Sequence, residues 1–428
     1  MKYSLFGYGI SNRSLAKYLV EKGDEVFVSD VRKLSKEEKI EGVEYEVGNT
    51  KRILDSDIIV ISPGIPPTNY IVKEATKNNI PVLSDIELFY RIFKPKIIAV
   101  TGTNGKSTTV SLINKILNKK YVSYIGGNFG VPIFDYANKN YDYLVVEISS
   151  FQLYYTNTFK PYIAIILNIT ADHINWHGTF ENYKKAKYNI FKNQDKNDIS
   201  ILNYQLPYPN TCAKKLTFST VKRKANYYAK ENTVFENFEE IMNVESKLKG
   251  RHNMENILAS IAVGRVCHID KENIAEAIFD FKPLEHRLEI AGIVNNVLFI
   301  NDSKSTTTDS ALKALDAYPN SVLIVGGRRK GEDYKEFFKK MKNIVSATVL
   351  LGESSDEFEK YCDEFGINYT FATSMCDAVS KAFGIANPTG NTVLLSPATA
   401  SYDMFENYKE RGKVFKDCVK KLRNSKDF

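Results

Sequence analysis

The chain has 428 residues, of which 43% are hydrophobic and 25% are charged. At about 100 to 200 residues per domain, this length predicts two to four domains with large cores, and it excludes a peptide, a disulfide mini-protein and a disordered tail. The 58 Lys and Arg residues against 51 Asp and Glu give a net charge of +7, spread along the chain, so nucleic-acid binding is not indicated.

The cysteines and the first residues of the chain both favour a cytosolic protein. The odd number of cysteines and the absence of a C-x-x-C pair signal neither a disulfide framework nor a zinc site. We expect reduced core thiols at Cys212, Cys267, Cys362, Cys376 and Cys418. The chain opens directly into the strand-like run 3–6, and no stretch approaches about 18 continuous apolar residues, so we expect no leader and no membrane span.

Short apolar, β-branched runs alternate with helical patterns almost from end to end, which predicts α/β domains built on parallel sheets. The first set ends where Pro95 interrupts a helical pattern. It has a predicted helix over about 11–22 and predicted strands at 3–6, 26–29 and 58–61.

Two further sets of strands and helices follow. The second set has predicted helices over about 179–192 and 253–267, short strands within 203–250, and buried strands at 97–100, 143–148 and 162–167. After Pro283 the third set has predicted strands near 288–291, 297–301, 321–326, 347–351 and 392–396. No internal repeat indicates a repeat array.

The strongest local signal is a glycine-rich loop between an apolar strand and a helical run, in segment 100–108, VTGTNGKST. Glycines let the backbone fold around phosphate oxygens, and the helix N-terminus directs N–H groups at them. Lys106 supplies a positive charge and Ser107 a hydroxyl for Mg²⁺. Val100 stands where the Walker pattern has its first glycine, so the loop is a shorter variant. It predicts an ATP site, with an ordinary glycine-rich turn as the alternative.

Further along the chain, Glu147, His173 and Lys187 are candidates for metal binding or catalysis. Glu147 ends the apolar run 143–146, so its carboxylate would project at the C-terminal edge of a strand, where ligands bind in open α/β sheets. His173 and Lys187 follow further along the chain. Taken alone, a histidine such as His173 is more often an ordinary loop residue and a lysine such as Lys187 a solvated helix residue. Their occurrence together with the phosphate loop and Glu147 favours an active site.

A second glycine-rich loop lies near the N-terminus, in segment 7–12, GYGISN. It is similar to the dinucleotide loop G-x-G-x-x-G with Asn12 in place of the third glycine, and Asp30 follows Gly9 by 21 residues. This predicts a Rossmann-like domain that binds a nucleotide, not necessarily NAD. Gly64 and Asn128 lie in loops at strand ends that could approach a diphosphate, although each alone is more often part of a turn.

Together with segments 147–153 (EISSFQL), 301–306 (NDSKST) and 395–401 (LSPATAS), these features resemble the Mur ligases of peptidoglycan synthesis, above all those that add D-glutamate. The matching segments run from Gly7 to Gly412. The resemblance implies three α/β domains: a Rossmann-like UDP-binding domain over 1–93, a central P-loop ATPase domain over 94–283, and a C-terminal domain over 284–428 that closes over the ligands.

The resemblance also implies a reaction. The terminal carboxylate of UDP-N-acetylmuramoyl-L-alanine would take the γ-phosphate of ATP to give an acyl phosphate, which the amine of D-glutamate would attack. ATP and Mg²⁺ are the implied cofactors, and we expect a cytoplasmic monomer with no nucleic-acid or membrane partner.

The resemblance implies roles for individual residues. Lys106 would hold the β- and γ-phosphates, and Lys187 matches a lysine that is carbamylated in this family. The implied metal ligands are Ser107, Glu147, His173 and the modified Lys187. The implied ATP contacts are Gly102, Thr103, Asn104, Gly105, Lys106, Ser107, Thr108, Asn253, Asn256, Arg287 and Asp302. The implied contacts to the UDP substrate are Gly9, Ser11, Asp30, Arg32, Gly64 and Asn128. The implied contacts to D-glutamate are Lys304, Thr306, Lys330, Ser401 and Tyr408.

Four alternatives remain at this point. Another Mur ligase or a folylpolyglutamate synthase would share the phosphate loop, but the segments EISSFQL and NDSK argue against both. An NAD-dependent oxidoreductase would explain the N-terminal loop, and a nucleotide-binding regulatory protein would bind without turnover. At the level of one residue, Ser401 could cap a helix beginning near Tyr402 instead of binding D-glutamate.

Overall fold

The structure is a computed structural model, and it describes residues 1–48, 50–329, 331 and 333–424. These residues form three sheets and divide into two compact units. The first unit comprises Met1–Glu245 with Glu255–Asp280 and holds the first two sheets, whereas the second comprises Ser246–Met254 with Phe281–Phe428 and holds the third. The α/β class is confirmed, and the boundaries after residues 93 and 283 stay predictions. In the part of the chain described, no helix has the length and apolar character needed to span a bilayer.

The first sheet pairs its strands in parallel, in the order β3-β2-β1-β4-β5. Its strands are β1 (Lys2–Phe6), β2 (Glu25–Asp30), β3 (Val43–Val47), β4 (Ile58–Ile61) and β5 (Val82–Leu83), and its helices are α1 (Ile10–Glu21), α2 (Tyr70–Lys77) and α3 (Asp85–Phe93). The predicted strands and helix are confirmed. The edge strand β3 was not predicted, because its sequence VEYEV is partly exposed and half charged.

The second sheet has the order β14-β13-β12-β11-β10-β9-β6-β8-β7, and its pairs are parallel from β7 through to β12. Its strands are β6 (Ile97–Thr101), β7 (Ser123–Gly127), β8 (Tyr143–Glu147), β9 (Ile163–Ile166), β10 (Ile199–Asn203), β11 (Lys214–Ser219), β12 (Tyr227–Lys230), β13 (Thr233–Glu236) and β14 (Glu239–Asn243). The helices of this stretch of chain are α4 (Lys106–Leu117), α5 (Ser150–Tyr154), α6 (Ile174–His177), α7 (Phe180–Tyr188), α8 (Arg251–Val266) and α9 (Lys271–Phe279). The central strands β6, β8 and β9 are buried along their whole length, as expected of parallel strands covered on both faces.

The first two sheets share one hydrophobic core, which includes Leu5 and Val28 of the first sheet and Leu144 of the second. A buried carboxylate on α3 also connects the two sheets through hydrogen bonds. Glu87 accepts hydrogen bonds from the backbone N–H groups of residues 157, 158 and 159, at 3.0, 2.9 and 2.9 Å, and from Arg91 at 2.7 Å. Burial alone would raise the pKa of Glu87, but these donors hold it below its usual range. The two sheets are therefore joined by packing and by charge-assisted hydrogen bonds.

The third sheet has the order β15-β16-β20-β17-β18-β19, with only the β15-β16 pair antiparallel among the described strands. Its strands are β15 (Glu289–Val294), β16 (Val297–Asn301), β17 (Val322–Val325), β18 (Ala347–Leu351), β19 (Tyr369–Ala372) and β20 (Val393–Leu395). The helices are α10 (Thr308–Ala317), α11 (Lys335–Met341), α12 (Ser355–Phe365), α13 (Met375–Ala386) and α14 (Tyr408–Asn424). The strands predicted here are confirmed, and β19 is an addition.

The expectation of five reduced core thiols is wrong for three cysteines. Cys376 on α13 and Cys418 on α14 form a disulfide, because these helices pack side by side and bring the two Cα atoms to 5.0 Å. Cys212 is exposed, whereas Cys267 and Cys362 are buried free thiols as expected. Burial raises the pKa of each of the two buried thiols to about 11.

Candidate active site

The phosphate loop connects the C-terminal end of β6 to the N-terminus of α4. Gly105 caps α4 with a positive φ of 89°, and a Cβ at this position would overlap the Asn256 side chain, so only glycine fits. The loop is held from β9, since the backbone N–H groups of Thr103 and Asn104 donate to the Asn168 carbonyl (3.0 Å) and side-chain oxygen (2.9 Å). The result is a fixed turn of backbone in front of a helix N-terminus, the geometry that favours phosphate binding.

Lys106 bends back over this loop. Its Nζ donates to the carbonyl oxygens of Gly102 and Thr103, each at 2.9 Å. These two contacts hold the ammonium group at the loop, where a phosphate oxygen would approach. The predicted role of Lys106 as a phosphate-binding cation therefore has a matching geometry.

Glu147 lies at the end of β8 and is buried beside the loop. Its Oε2 accepts a hydrogen bond of 2.6 Å from the Ser107 hydroxyl, and its Oε1 accepts one of 2.7 Å from the Asn128 side-chain amide. The residue before Asn128 is Gly127, at which a Cβ would overlap the Glu147 carbonyl. Carboxylate and hydroxyl oxygens are the ligand type that Mg²⁺ prefers, so Ser107 and Glu147 fit the predicted ion.

Lys187 is buried, which excludes the interpretation as a solvated helix lysine. Its Nζ donates to the Gly102 carbonyl at 2.9 Å, lies 3.5 Å from the Thr101 hydroxyl, and sits 4.7 Å from the centroid of the Tyr183 ring. Burial, together with the nearby positive charge of Lys106, holds the pKa of Lys187 well below its ordinary value. A lowered pKa increases the share of the neutral amine, which is the nucleophilic form of a lysine.

His173 lies on the same side of the sheet, at the N-terminus of α6. It has a positive φ of 53°, its Nε2 is 3.4 Å from a carboxylate oxygen of Asp172, and its ring packs 4.7 Å from that of Phe151. The imidazole is half-exposed, so solvent reaches it.

Tyr183 was not predicted as a site residue. Its hydroxyl lies 2.8 Å from the Thr103 hydroxyl, which in turn is 3.1 Å from the Thr170 carbonyl. This contact ties α7 to the phosphate loop one turn before Lys187. The sequence carries a signal for it, because Tyr183, Ala186 and Lys187 repeat at helical spacing and form the buried face of α7.

The N-terminal loop is built from the residues predicted to bind the UDP substrate. The Asn12 side-chain amide donates to the Gly7 carbonyl at 2.7 Å, which explains how an asparagine replaces the third glycine of the motif. Gly9 follows at the N-terminus of α1, and open space surrounds the position of its missing side chain. Ser11 lies in the first turn of α1, and Gly64 follows β4 with the same open space.

Asp30 and Arg32 are brought together at the end of β2. Asp30 accepts hydrogen bonds from the backbone N–H groups of Tyr8 (2.7 Å) and Arg32 (2.8 Å), and the Arg32 guanidinium donates to the Tyr8 carbonyl at 3.1 Å. Burial alone would raise the pKa of Asp30, but these N–H donors and the Arg32 charge hold it below its usual range. The loops after β1 and β2 thus form one polar edge with a fixed anion and a half-exposed cation.

In the second unit, residues predicted to bind D-glutamate follow β16 and β20, which are neighbours in the sheet. Lys304 and Thr306 follow β16, and the Lys304 ammonium lies 4.0 Å from the centroid of the Tyr408 ring. The loop after β20 joins them, because the Ala398 N–H donates to the Ser305 carbonyl at 3.0 Å. Lys330 lies outside the described residues.

The alternative that Ser401 caps a helix beginning near Tyr402 is wrong. The Ser401 carbonyl accepts hydrogen bonds from the N–H groups of Met404 (3.3 Å) and Phe405 (2.9 Å) in a series of turns, and α14 begins only at Tyr408. The side chain of Asn407 accepts from the N–H groups of residues 409 and 410, at 2.9 and 3.1 Å, so asparagine caps the helix. Ser401 is buried and caps no helix at this point.

Asp302 and Arg287 lie in the second unit, in the stretches after β16 and before β15. The Asp302 carboxylate is buried and accepts hydrogen bonds from the Leu288 N–H (3.2 Å) and the Ser396 hydroxyl (2.9 Å). Burial raises its pKa to about 6. Asn253 and Asn256 are buried residues of α8, and the Asn253 amide donates to the Lys249 carbonyl at 2.7 Å.

Three domain models match the chain: the MurD N-terminal domain over residues 2–71, the Mur ligase middle domain over 100–264, and the Mur ligase glutamate ligase domain over 286–399. The UDP-N-acetylmuramoylalanine–D-glutamate ligase of Thermosipho africanus is 39% identical and covers 100% of both chains. The enzymes of the same name from Fervidobacterium nodosum and Clostridioides difficile are 39% and 35% identical, each with 99% of both chains covered.

Solved structures share the fold at lower sequence identity. The UDP-N-acetylmuramate–alanine ligase MurC of Thermotoga maritima superimposes with a TM-score of 0.64 at 20% identity, covering 98% of this chain and 99% of that one. The MurF ligase of Thermotoga maritima, solved in complex with ADP, gives a TM-score of 0.63 at 15% identity, covering 98% and 95%. The full-length likeness to curated relatives, and the match to the MurD N-terminal domain, show that the chain belongs to the Mur ligase family and within it to the D-glutamate ligases.

Proposed function

We propose that the chain joins the amine of D-glutamate to the terminal carboxylate of UDP-N-acetylmuramoyl-L-alanine, with conversion of ATP to ADP and phosphate. The observation that carries the proposal is the cluster at the edge of the second sheet. There, a phosphate loop with its lysine lies beside a buried carboxylate and a buried lysine of lowered pKa. Full-length relatives that bear the name of this activity support the choice of substrates.

ATP would bind with its phosphates on the backbone of residues 102–108 and its γ-phosphate next to Lys106. Ser107 and Glu147 would hold Mg²⁺, with His173 as ligand of a second ion; the bound ion would neutralise negative charge on the phosphate oxygens. Lys106 adds the permanent positive charge of the loop, and the N-terminus of α4 adds its N–H groups. The proposed contacts from Asn253, Asn256, Arg287 and Asp302 would hold the rest of the nucleotide.

The proposed reaction has two steps. A carboxylate oxygen of UDP-N-acetylmuramoyl-L-alanine attacks the γ-phosphorus of ATP, the bond to the β–γ bridging oxygen breaks, and ADP leaves. The amine of D-glutamate then attacks the carbonyl carbon of the acyl phosphate, phosphate leaves, and loss of a proton from nitrogen gives the amide. Lys106 contributes by stabilising the charge on the transferred phosphoryl group.

Lys187 is proposed to react with CO₂ and to act as a carbamate. As a neutral amine it can form the N–C bond to CO₂ and lose a proton, which replaces a potential cation by an anion. The lowered pKa supports this proposal, because it increases the share of the neutral amine, the form that reacts with CO₂.

The two organic substrates would be held by different parts of the chain. The UDP substrate would bind at Gly9, Ser11, Asp30, Arg32, Gly64 and Asn128. D-glutamate would bind at Lys304, Thr306, Ser401 and Tyr408 in the second unit, together with Lys330. A substrate with two carboxylates loses hydration when it is bound, so it needs the cationic and hydroxyl donors that these residues offer.

Phosphate release measured with every combination of ATP, UDP-N-acetylmuramoyl-L-alanine and amino acid tests the proposal. We expect release only when D-glutamate and both other substrates are present with Mg²⁺. The variant Glu147→Gln should lose about 10²-fold or more in kcat, whereas Glu181→Gln, which changes an exposed carboxylate on α7, should resemble the wild type. Equal turnover with L-alanine or another amino acid would favour another Mur ligase, and binding of all three substrates without release would favour a regulatory protein.

A further inference from the structure

Arg411 on α14 is a buried guanidinium group in the core of the second unit. Its Nε donates to the Ser303 hydroxyl at 3.0 Å, and one terminal nitrogen donates to the carbonyl oxygens of Ser303 (2.9 Å) and Thr399 (3.1 Å). Two donors of the planar group therefore hold a single residue, Ser303, by side chain and backbone. We call this pair of donating nitrogens the fork; a lysine ammonium could not reproduce it.

The charge of Arg411 has no carboxylate partner within 4 Å among the described residues. Its other terminal nitrogen is buried without a hydrogen-bond partner there, 3.2 Å from the place that a side chain on Gly327 would occupy. Burial lowers the pKa of Arg411 to about 10, so the group stays protonated at neutral pH. A buried charge without an ion-pair partner is costly to a fold, which makes Arg411 a candidate for a functional role.

The contacts of Arg411 join loops that carry proposed D-glutamate residues. Ser303 precedes Lys304 in the loop after β16, and Thr399 lies two residues before Ser401 in the loop after β20. The Ser303 hydroxyl, which accepts from Arg411, donates to the Tyr408 carbonyl at 2.8 Å. Lys304 and Ser401 thus lie one and two residues from a group that contacts Arg411, and the Tyr408 carbonyl accepts from Ser303 directly.

We infer that Arg411 is a positioning residue for D-glutamate. It fixes the loops after β16 and β20 relative to each other and places a permanent positive charge behind them. The inference rests on the proposed function, in that it takes D-glutamate as the substrate of these loops. Lys304 and Ser401 would then meet the two carboxylates at a fixed spacing, and the charge behind them favours an amino acid with a second carboxylate over one with a neutral side chain.

Kinetics of three variants and a control test this role. Arg411→Lys keeps the charge but loses the fork, Arg411→Met loses both, and Ser303→Ala removes one acceptor of the fork. Ser354→Ala is the matched control, because the Ser354 side chain is buried at the same sheet edge and accepts from the Gly327 N–H at 3.1 Å without contacting Arg411.

We expect the KM for D-glutamate to rise about tenfold in Arg411→Lys and about a hundredfold in Arg411→Met, with Ser303→Ala several-fold above the wild type. The KM values for ATP and UDP-N-acetylmuramoyl-L-alanine should stay within about twofold, and Ser354→Ala should leave the three KM values alike. If Arg411→Met does not fold, the other two variants decide.

A merely structural arginine would lower the melting temperature and the active fraction of the enzyme while the three KM values stay unchanged or shift together, and that result would overturn the inference. Failure of the proposed function has a different signature, since wild-type phosphate release would then not depend on D-glutamate at all.

Discussion

Two edges of parallel sheet in this molecule each bury a cation without a carboxylate partner among the described residues, but they use different side chains. At the edge of the second sheet the cation is Lys187, which contacts a backbone carbonyl and a hydroxyl. At the edge of the third sheet it is Arg411, which is held by two carbonyls and a hydroxyl. Burial lowers the pKa of both groups, but the pKa of Arg411 stays at about 10, so the guanidinium keeps its charge at neutral pH, whereas the pKa of Lys187 is held well below its ordinary value.

The surroundings of the two groups increase this difference. The charge of Lys106 lowers the pKa of Lys187 further, and this effect precedes the opposing ones of Asp172 and Glu147, whereas the carboxylates of Asp403 and Asp302 raise the pKa of Arg411. A buried amine is suited to covalent change, and a buried guanidinium is suited to constant charge. The comparison places an amine of lowered pKa where phosphate transfer is proposed and a permanent cation where an amino acid with two carboxylates is expected to bind.

The largest expected effect is that of Lys106→Ala. The variant should lose about 10³-fold in kcat, because no other group of the loop supplies a charge to the transferred phosphoryl group. Steady-state phosphate release measures the loss. Lys115→Ala is the control, since Lys115 lies on the same helix and donates only to the Asp280 carbonyl at the surface. Full activity in Lys106→Ala would contradict the assignment of the ATP site to the loop after β6.

A pair of substitutions at Lys187 tests whether a reactive amine is needed. Lys187→Ala should lose about 10²-fold or more in kcat and regain part of it when short carboxylic acids are added, because they can replace a carbamate. Lys187→Arg should be as inactive and should show no rescue, since it keeps a positive charge in the same place. Lys185→Ala, an exposed neighbour on α7, should behave as wild type. A near-normal Lys187→Ala enzyme would contradict the carbamate.

A pH experiment tests the electrostatics of the Arg411 edge. The pKa of Asp302 is raised from 3.8 to about 6 in the folded protein, so the folded state binds more protons than the unfolded state between these values. Its effect on stability is therefore most favourable below pH 4 and is lost as the pH rises through 6, a change of about 3 kcal/mol.

Asp302→Asn removes this titration. We expect the unfolding free energy of the variant, relative to the wild type, to rise by about that amount between pH 4 and pH 7 in denaturant titrations. Parallel stability curves for the two proteins would show that Asp302 is not titrating in this range.

The smallest expected effect is that of Ser401→Ala. Loss of one donor to a charged group costs about 1.5 kcal/mol, so the KM for D-glutamate should rise roughly tenfold while the other two KM values do not change. Ser374→Ala is the matched control, because the Ser374 side chain is a true helix cap that accepts from the Asp377 N–H. It should lower the unfolding free energy by about 1 kcal/mol and leave the KM values unchanged. The reverse pattern would remove Ser401 from the site.

Local patterns predicted much of this structure. The phosphate loop and the strands β6, β8 and β9 were predictable because glycine spacing and continuous apolar runs are set by neighbouring residues. The burial of Arg411 also has a local signal: it lies on the same face of α14 as Phe415, Cys418 and Val419, at helical spacing. A charged residue on such a face contradicts the usual pattern, and only the packed structure shows what it binds.

Features that depend on distant pairing were not predictable. The disulfide requires that α13 and α14 lie side by side, and the contact between Ser303 and Arg411 spans 108 residues. The edge strand β3 was missed because two glutamates interrupt its sequence VEYEV, so it contains no apolar run. In each case the deciding neighbour is far away in sequence, so the local pattern is silent or misleading.

The tie that Glu87 makes between the first two sheets has a consequence for substrate choice. A carboxylate saturated by backbone N–H groups on one side and by an arginine on the other leaves little freedom for the two sheets to move apart. We therefore expect the distance between the loop after β1 and the loop after β6 to stay nearly constant. In the proposed function the uridine would bind near the first loop and the reactive carboxylate would lie near the second. We therefore expect a nucleotide sugar whose reactive carboxylate is too near to or too far from its uridine to be bound without being phosphorylated.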